Sequence, residues 1–468
     1  MRPARKLLLL ALALGASAPA AAQTVAITNG RVVIGDGTPP IQGGTVVIRN
    51  GRVVAAGANV AVPSGASVVD ANGRWVTPGL MSGFSRIGLA EVDAAGASED
   101  VSASNSPFSA ALDVAPAINP QAAAIAINRA AGITRAVVAP GTGTSIFGGQ
   151  GAVIDLGSDN DPITLRRAFQ FVELGETGAQ RAGGSRVSAH ALLRNALREA
   201  GQLRINITGG GGRGNQTTQG DDPGSPNVDD QMDVRMLEPQ RERASDVLLT
   251  RFDAAALVPV VQGRQALLVH AERASDILQT LALKREFPRL RLVLVGATEG
   301  WRVADQIRAA GVPVIANALN DLPATFEQLA ATQSNVGRLR AAGVPVAIGH
   351  INDDETRQLR VMPQYAGNLV ALNNVPGATG LSWDQAFAAI SSAPAEAMGL
   401  GAEIGSLRPG RRGDVVIWDG DPLELATGVQ AVWIDGVQQS LENRQTRLRD
   451  RYRTPGEGQL PHAYSPRQ

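Results

Sequence analysis

Cysteine is absent from all 468 residues, so neither disulfides nor thiolate metal ligands are available to this chain. Lysine is almost absent as well, with Lys6 and Lys284 the only two. Excess charge of either sign is lacking: 43 basic residues face 43 acidic ones, which argues against nucleic acid or another polyanion as the general partner. Aromatic residues make up only 4% of the chain. No apolar run approaches the roughly 18 residues that a membrane span requires, so no span is expected.

What is present fits a large α/β protein. A length of 468 residues exceeds the usual size of one domain, and 44% hydrophobic residues with a mean hydropathy of -0.02 allow a sizeable core. The first 22 residues have the order of a secretory signal. Arg2, Arg5 and Lys6 supply positive charge, Leu7 to Gly15 an apolar stretch too short to cross a bilayer, and Ala20-Ala21-Ala22 a small-residue cleavage site. The expectation is a periplasmic or secreted protein whose mature chain starts near Gln23.

Short strand-like runs broken by Gly turns crowd both ends. Val25 to Ile27 precedes Asn29-Gly30, Thr45 to Ile48 precedes Asn50-Gly51, and Val432 to Ile434 precedes Asp435-Gly436. Between the ends, aliphatic runs at Ile133 to Val138, Ala266 to Val269, Leu290 to Val295, Val312 to Ile315 and Val344 to Ile348 alternate with helix-like stretches. That alternation predicts buried parallel strands in βαβ units. Residues 205–233 break the rhythm with Gly209 to Gly212, Gly214, Gly220, Pro223, Gly224 and Pro226, and read as a mobile loop. The tail from Arg444 to Gln468 is polar and is expected to trail over the surface or lie disordered.

The segment Val76-Thr77-Pro78-Gly79-Leu80-Met81, the run Val269-His270-Ala271-Glu272-Arg273, the passage Thr298-Glu299-Gly300-Trp301 and the closing stretch from Pro394 through Gly405 to Trp418 occur in this order. Together they resemble the amidohydrolase superfamily, in its imidazolonepropionase-like and prolidase-like branches. The resemblance spans roughly residues 25 to 440. It implies a (β/α)8 TIM-type barrel over 79–400 with a small β-sandwich built from 23–78 and 401–443. It also implies chemistry at the C-terminal ends of the barrel strands.

Metal-dependent members of that superfamily open with His-x-His on the first strand, since residues i and i+2 of a strand face the same side and can grip one ion. The matching positions here are Phe84 and Arg86, which offer a metal no lone pair at neutral pH. The bridging lysine of binuclear members has no counterpart, and the sixth-strand histidine is replaced near Gly296. The eighth-strand aspartate falls within His350-Ile351-Asn352-Asp353-Asp354. His270 matches the fifth-strand ligand and is either a retained site residue or an ordinary hydrogen-bonded histidine. His270, Asp353, Asp354 and Glu299 are the candidate acid–base residues, and His270 with His350 the candidate ligands of one divalent metal such as zinc. His190 is expected on the solvent face of a helix from Ser185 to Ala200. Arg86 and Arg273 are candidates for holding a substrate carboxylate, although Arg86 is equally readable as an ion-pair partner of Glu173, Glu299 or Asp353.

Two functions follow as expectations. One is hydrolysis of a cyclic amide, other non-peptide carbon–nitrogen bond or dipeptide by a site whose metal ligands are mostly replaced. The other is a catalytically inactive barrel that binds a small molecule or pairs, as a homo- or hetero-oligomer, with an intact amidohydrolase.

Overall fold

A computed structural model describes residues 24–91, 98–203, 248–318, 320–351 and 357–453. The expected Gly-rich loop at 205–233 lies outside the described residues, as do the first 22 residues and the last fifteen.

The N-terminal strands are β1 (Thr24–Val32), β2 (Ile41–Arg49), β3 (Arg52–Gly57), β4 (Ser67–Asp70) and β5 (Trp75–Pro78). Asn50-Gly51 closes the β2–β3 hairpin with both residues at positive φ (52° and 74°), the backbone that a tight two-residue hairpin demands. Asn29-Gly30, expected to be a turn of the same kind, is instead a register shift inside the continuous strand β1. A β-bulge accommodates the extra residue without ending the strand.

Next come eight strands that wrap into one sheet: β6 (Leu80–Ser85), β7 (Ile133–Val138), β8 (Phe147–Asp155), β9 (Ile163–Glu173), β10 (Ala266–Ala271), β11 (Arg291–Gly296), β12 (Val314–Ala316) and β13 (Val346–Ile348). The two edge strands meet where the His350 amide donates to the Phe84 carbonyl at 2.8 Å. This is a TIM-type barrel with one departure from the expected all-parallel pattern: β8 runs antiparallel to both β7 and β9. Two successive strand reversals thus stand where helical crossovers would otherwise be.

Alternation along the strands sorts side chains into two layers. Met81, Phe84, Val137, Val153, Phe169, Phe171, Leu268, Val293, Val295, Ile315 and Ala347 fill the barrel interior. Leu80, Val138, Ile154, Val172, Leu267, Val269, Leu294, Val314 and Ile348 face the surrounding helices.

The chain then returns to the first sheet through β14 (Val415–Trp418), β15 (Val429–Ile434) and β16 (Val437–Gln439). The strand order β16-β15-β14-β5-β1-β2-β3, with β4 beside β1, joins both chain ends in one sheet, as expected from the sequence. Arg444–Arg453, expected to trail over the surface, forms a helix.

One guanidinium fastens the sandwich to the barrel. Arg135 on β7 is 1% exposed and forks onto Asp414, its Nε to Oδ2 at 2.8 Å and Nη2 to Oδ1 at 3.0 Å. It also donates to Asp435 at 2.7 Å and to Thr164 at 2.6 Å. Removing it leaves buried carboxylates uncompensated, so Arg135→Ala is expected to cost about 3–5 kcal/mol in a denaturant titration. Asp155 lies farther off, at 3.5 Å from Nη1. Burial pushes its carboxyl up to about 6 against the opposing pull of Arg135. The folded state therefore holds that proton more tightly than the unfolded chain, and the contribution of Asp155 to stability declines as pH rises from 3.8 through about 6. Asp155→Asn should abolish this decline and gain on the parent above pH 6; an unchanged difference in Tm between pH 4 and 7 would rule the effect out.

Candidate active site

The parallel register of three adjacent strands assembles a charged group at the C-terminal mouth of the barrel. β10 pairs His270 with Glu173 of β9 on one side and with Val295 of β11 on the other, and Ala271 with Gly296. Positions 266, 268 and 270 share the inward face of β10, as do 169, 171 and 173 on β9, so His270 and Glu173 both continue the interior rows into the mouth.

His270 is held on both edges. Its Nδ1 lies 2.8 Å from each carboxylate oxygen of Glu173, and its Nε2 lies 2.9 Å from Oε1 of Glu272. Burial on its own would disfavour the charged ring. The attraction of Glu173 and the hydrogen bonds to Glu173 and Glu272 outweigh it, and the imidazole pKa rises well above 6.5. Glu272 answers in the opposite direction: burial raises its carboxyl pKa, but the His270 bond and the Thr298 amide, which donates at 2.8 Å, bring it below 4.5. The arrangement is a carboxylate–imidazolium–carboxylate group with both ring N–H bonds used.

Glu272 also fills space. Gly296, at the end of β11, has φ +85°, and a Cβ there would lie 2.6 Å from Glu272 Oε1. A side chain at position 296 and the present Glu272 cannot coexist.

Beyond this core lies a second layer of charge. Glu327 follows β12, accepts from the Glu176 amide at 2.7 Å and from Arg186 at 2.9 Å, and has a raised carboxyl pKa, chiefly through burial. Arg186 spans to Asp276 at 2.8 Å. The first-strand position expected to carry a ligand is apolar: Phe84 is 1% exposed and its ring sits 5.4 Å from that of Phe171 inside the barrel. Gln170, one residue off that row, faces the opposite way, into the helical layer with Val172.

The other sequence candidates are dispersed. His350 follows β13 on the outward row with Ile348; its Nδ1 is 3.1 Å from Ser82 Oγ, and its ring stacks on Tyr365 at 5.9 Å between barrel and helices. Because the Ser82 hydroxyl already donates to the Phe84 carbonyl, Nδ1 is the protonated nitrogen, and burial depresses the ring to about 4. His270 and His350 therefore stand on opposite faces of the barrel wall and do not face a common metal position. Glu299 is spent on the backbone amides of Ala274 and Ala330, both at 3.1 Å. Arg273 lies 3.3 Å from Asp276. The carboxylates of Glu173 and Glu299 engage the groups named above. Asp353 and Asp354 lie outside the described residues. His190 does not face open solvent; its Nε2 is 3.9 Å from Asp276.

The amidohydrolase family model matches residues 301–438, from the passage after β11 through β16. Over that stretch the chain is similar to the amidohydrolase family. An amidohydrolase from Thermotoga maritima MSB8 shares the fold with a TM-score of 0.72 at 23% identity, over 90% of this chain and all of that one. A prolidase complexed with N-methylphosphonate-L-proline overlays with a TM-score of 0.51 at 14% identity, over 89% and 99%. The amidohydrolase tasK of Hapsidospora irregularis is 40% identical over 60 residues, a stretch that spans 13% of this chain and 6% of that protein.

The metal centre that the superfamily implies does not fit this amidohydrolase-fold site. A metal needs a ring lone pair, yet both nitrogens of His270 face carboxylates from opposite edges; Phe84 supplies no donor, and the volume beside Gly296 is taken. Among the described residues no three His, Asp or Glu side chains are grouped to hold an ion.

Sequence reasoning passed over Glu272 and Glu327. Glu272 carried a signal, since it stands two residues after His270. Glu327 carried none, lying in a loop with no motif around it.

Two substitutions test the packing. His270→Ala strands two buried carboxylates and should cost about 3–5 kcal/mol. Gly296→Ala should cost about 2–4 kcal/mol from strain and the Glu272 contact, and much less in a Glu272→Ala background. Additive losses in that double-mutant cycle would show that the two positions are not in contact.

Proposed function

We propose that this protein hydrolyses a carbon–nitrogen bond in a small cyclic amide, related non-peptide compound or dipeptide, and that Glu173, His270 and Glu272 do the acid–base work in place of a binuclear metal centre. The supporting observation is that Glu173 and His270 meet in register at strand ends, with Glu272 bonded to the same ring just beyond β10, where barrels of this kind carry their chemistry. An ionised carboxylate such as Glu173 can take a proton from attacking water. The His270 imidazolium, released from one carboxylate, can return a proton to the leaving nitrogen. The superfamily match and the likeness to a prolidase support an amide-like substrate, although fold alone does not choose one.

A second reading, an inactive barrel that binds a small molecule or pairs with an intact relative, is favoured by one observation: both ring nitrogens of His270 are already engaged. The signal-like first 22 residues further suggest that either role is played outside the cytoplasm, which N-terminal sequencing of exported protein would test by finding a start near Gln23.

The deciding assay offers cyclic amides and dipeptides to the mature protein with and without a chelator. Turnover that survives the chelator and drops at least ~100-fold in Glu173→Gln supports the first reading. Compounds that raise Tm without being turned over support the second. Turnover that needs added metal would refute the proposed mechanism.

A further inference from the structure

We infer that the C-terminal helix Arg444–Arg453 is a docking element for an anionic phospholipid surface. The helix holds five arginines against one acid, Asp450, in a chain whose total charge is zero. None of its residues is buried. Arg444, Arg447 and Arg451 recur at i, i+3 and i+7 and so project from one helical face.

Local acids do not neutralise the set. Arg447 meets Glu442 and Arg449 meets Asp450 at 2.8 Å, but these are pairs with side chains 58–72% exposed, which screening makes weak. Among the described residues no carboxylate pairs with Arg444, Arg451 or Arg453. Arg451 lies 5.6 Å over the ring of Tyr452, itself 66% exposed. Arginine is suited to phosphate, since its planar fork presents two parallel N–H groups. A neighbouring exposed tyrosine suits the interface, where an amphipathic ring sits at headgroup level. The helix is too short and too charged to insert, and among the described residues no helix is long and apolar enough to cross a membrane. Charge complementarity with a headgroup layer, and not burial, is what the face offers.

The test is co-sedimentation of the full mature chain with phosphatidylcholine vesicles, with and without phosphatidylglycerol. Binding is expected only to the anionic vesicles, weakening steeply with added salt. It should fall at least ~10-fold in the variant Arg444→Glu/Arg447→Glu/Arg451→Glu, with Tm unchanged because the three substituted side chains are exposed. Equal binding by variant and parent, equal binding to neutral vesicles, or no binding at low salt would overturn the proposal. Retention by duplex DNA without retention by anionic vesicles would overturn it in favour of a polyanion partner.

Discussion

The site depends on the in-register pairing of β9, β10 and β11. Parallel strands locked at Ala266↔Phe169 and Ala266↔Arg291 bring Glu173, His270 and Val295 to one level, with Gly296 one residue beyond. A slip of one residue would turn His270 into the helical layer, because side chains alternate between the two faces. At that level a single imidazolium balances two carboxylates that burial would otherwise make very costly. The aliphatic rows below are therefore more than filler: Leu268, Val293 and Phe171 set the heights at which the charges meet.

The frame and the chemistry separate in this protein. Arg135, Asp414 and Asp435 hold the sandwich to the barrel far along the strands from the mouth, and nothing in that junction depends on what occupies the site. A barrel carries catalytic side chains at one end and stabilising ones at the other, so ligands at the mouth can be exchanged while the fold persists. The superfamily match in residues 301–438 reports on that frame. It says nothing about Phe84 or Gly296, which lie before it in the chain.

How legible each feature was in the sequence follows the same division. Buried parallel strands such as Ile133–Val138 and Ala266–Ala271 announce themselves as aliphatic runs, and the sandwich strands are marked by Asn-Gly and Asp-Gly turns. Strand β8, Phe147-Gly-Gly-Gln-Gly-Ala-Val-Ile-Asp155, has too many glycines to be recognised as a strand, and its antiparallel direction comes from hairpin reversals that no periodicity encodes. That Phe84 and Arg86 offer a metal no lone pair was visible from residue identity alone. The placement of His350 was not: one residue of parity decides whether a side chain enters the mouth or the helical layer, and the strand β13 that fixes it is only three residues long. Glu299 looked available because it is acidic and follows a strand, yet its oxygens are consumed by two backbone amides, a commitment that only three-dimensional neighbours reveal.

The replacements at the mouth support one another. Glu272 can reach His270 Nε2 and the Thr298 amide only because position 296 has no side chain, and it thereby occupies the space a sixth-strand ligand would need. With Glu272 in place, the ring nitrogen that would face a metal instead faces a carboxylate, which favours the protonated, non-ligating form. Phe84 packs against Phe171 and removes a donor from the opposite wall. Returning a histidine to position 84 would therefore leave His270 still clamped and Gly296 still covered, while returning one to position 296 would collide with Glu272. Glu272 and Gly296 thus depend on one another, while Phe84 is fixed by its own packing on Phe171.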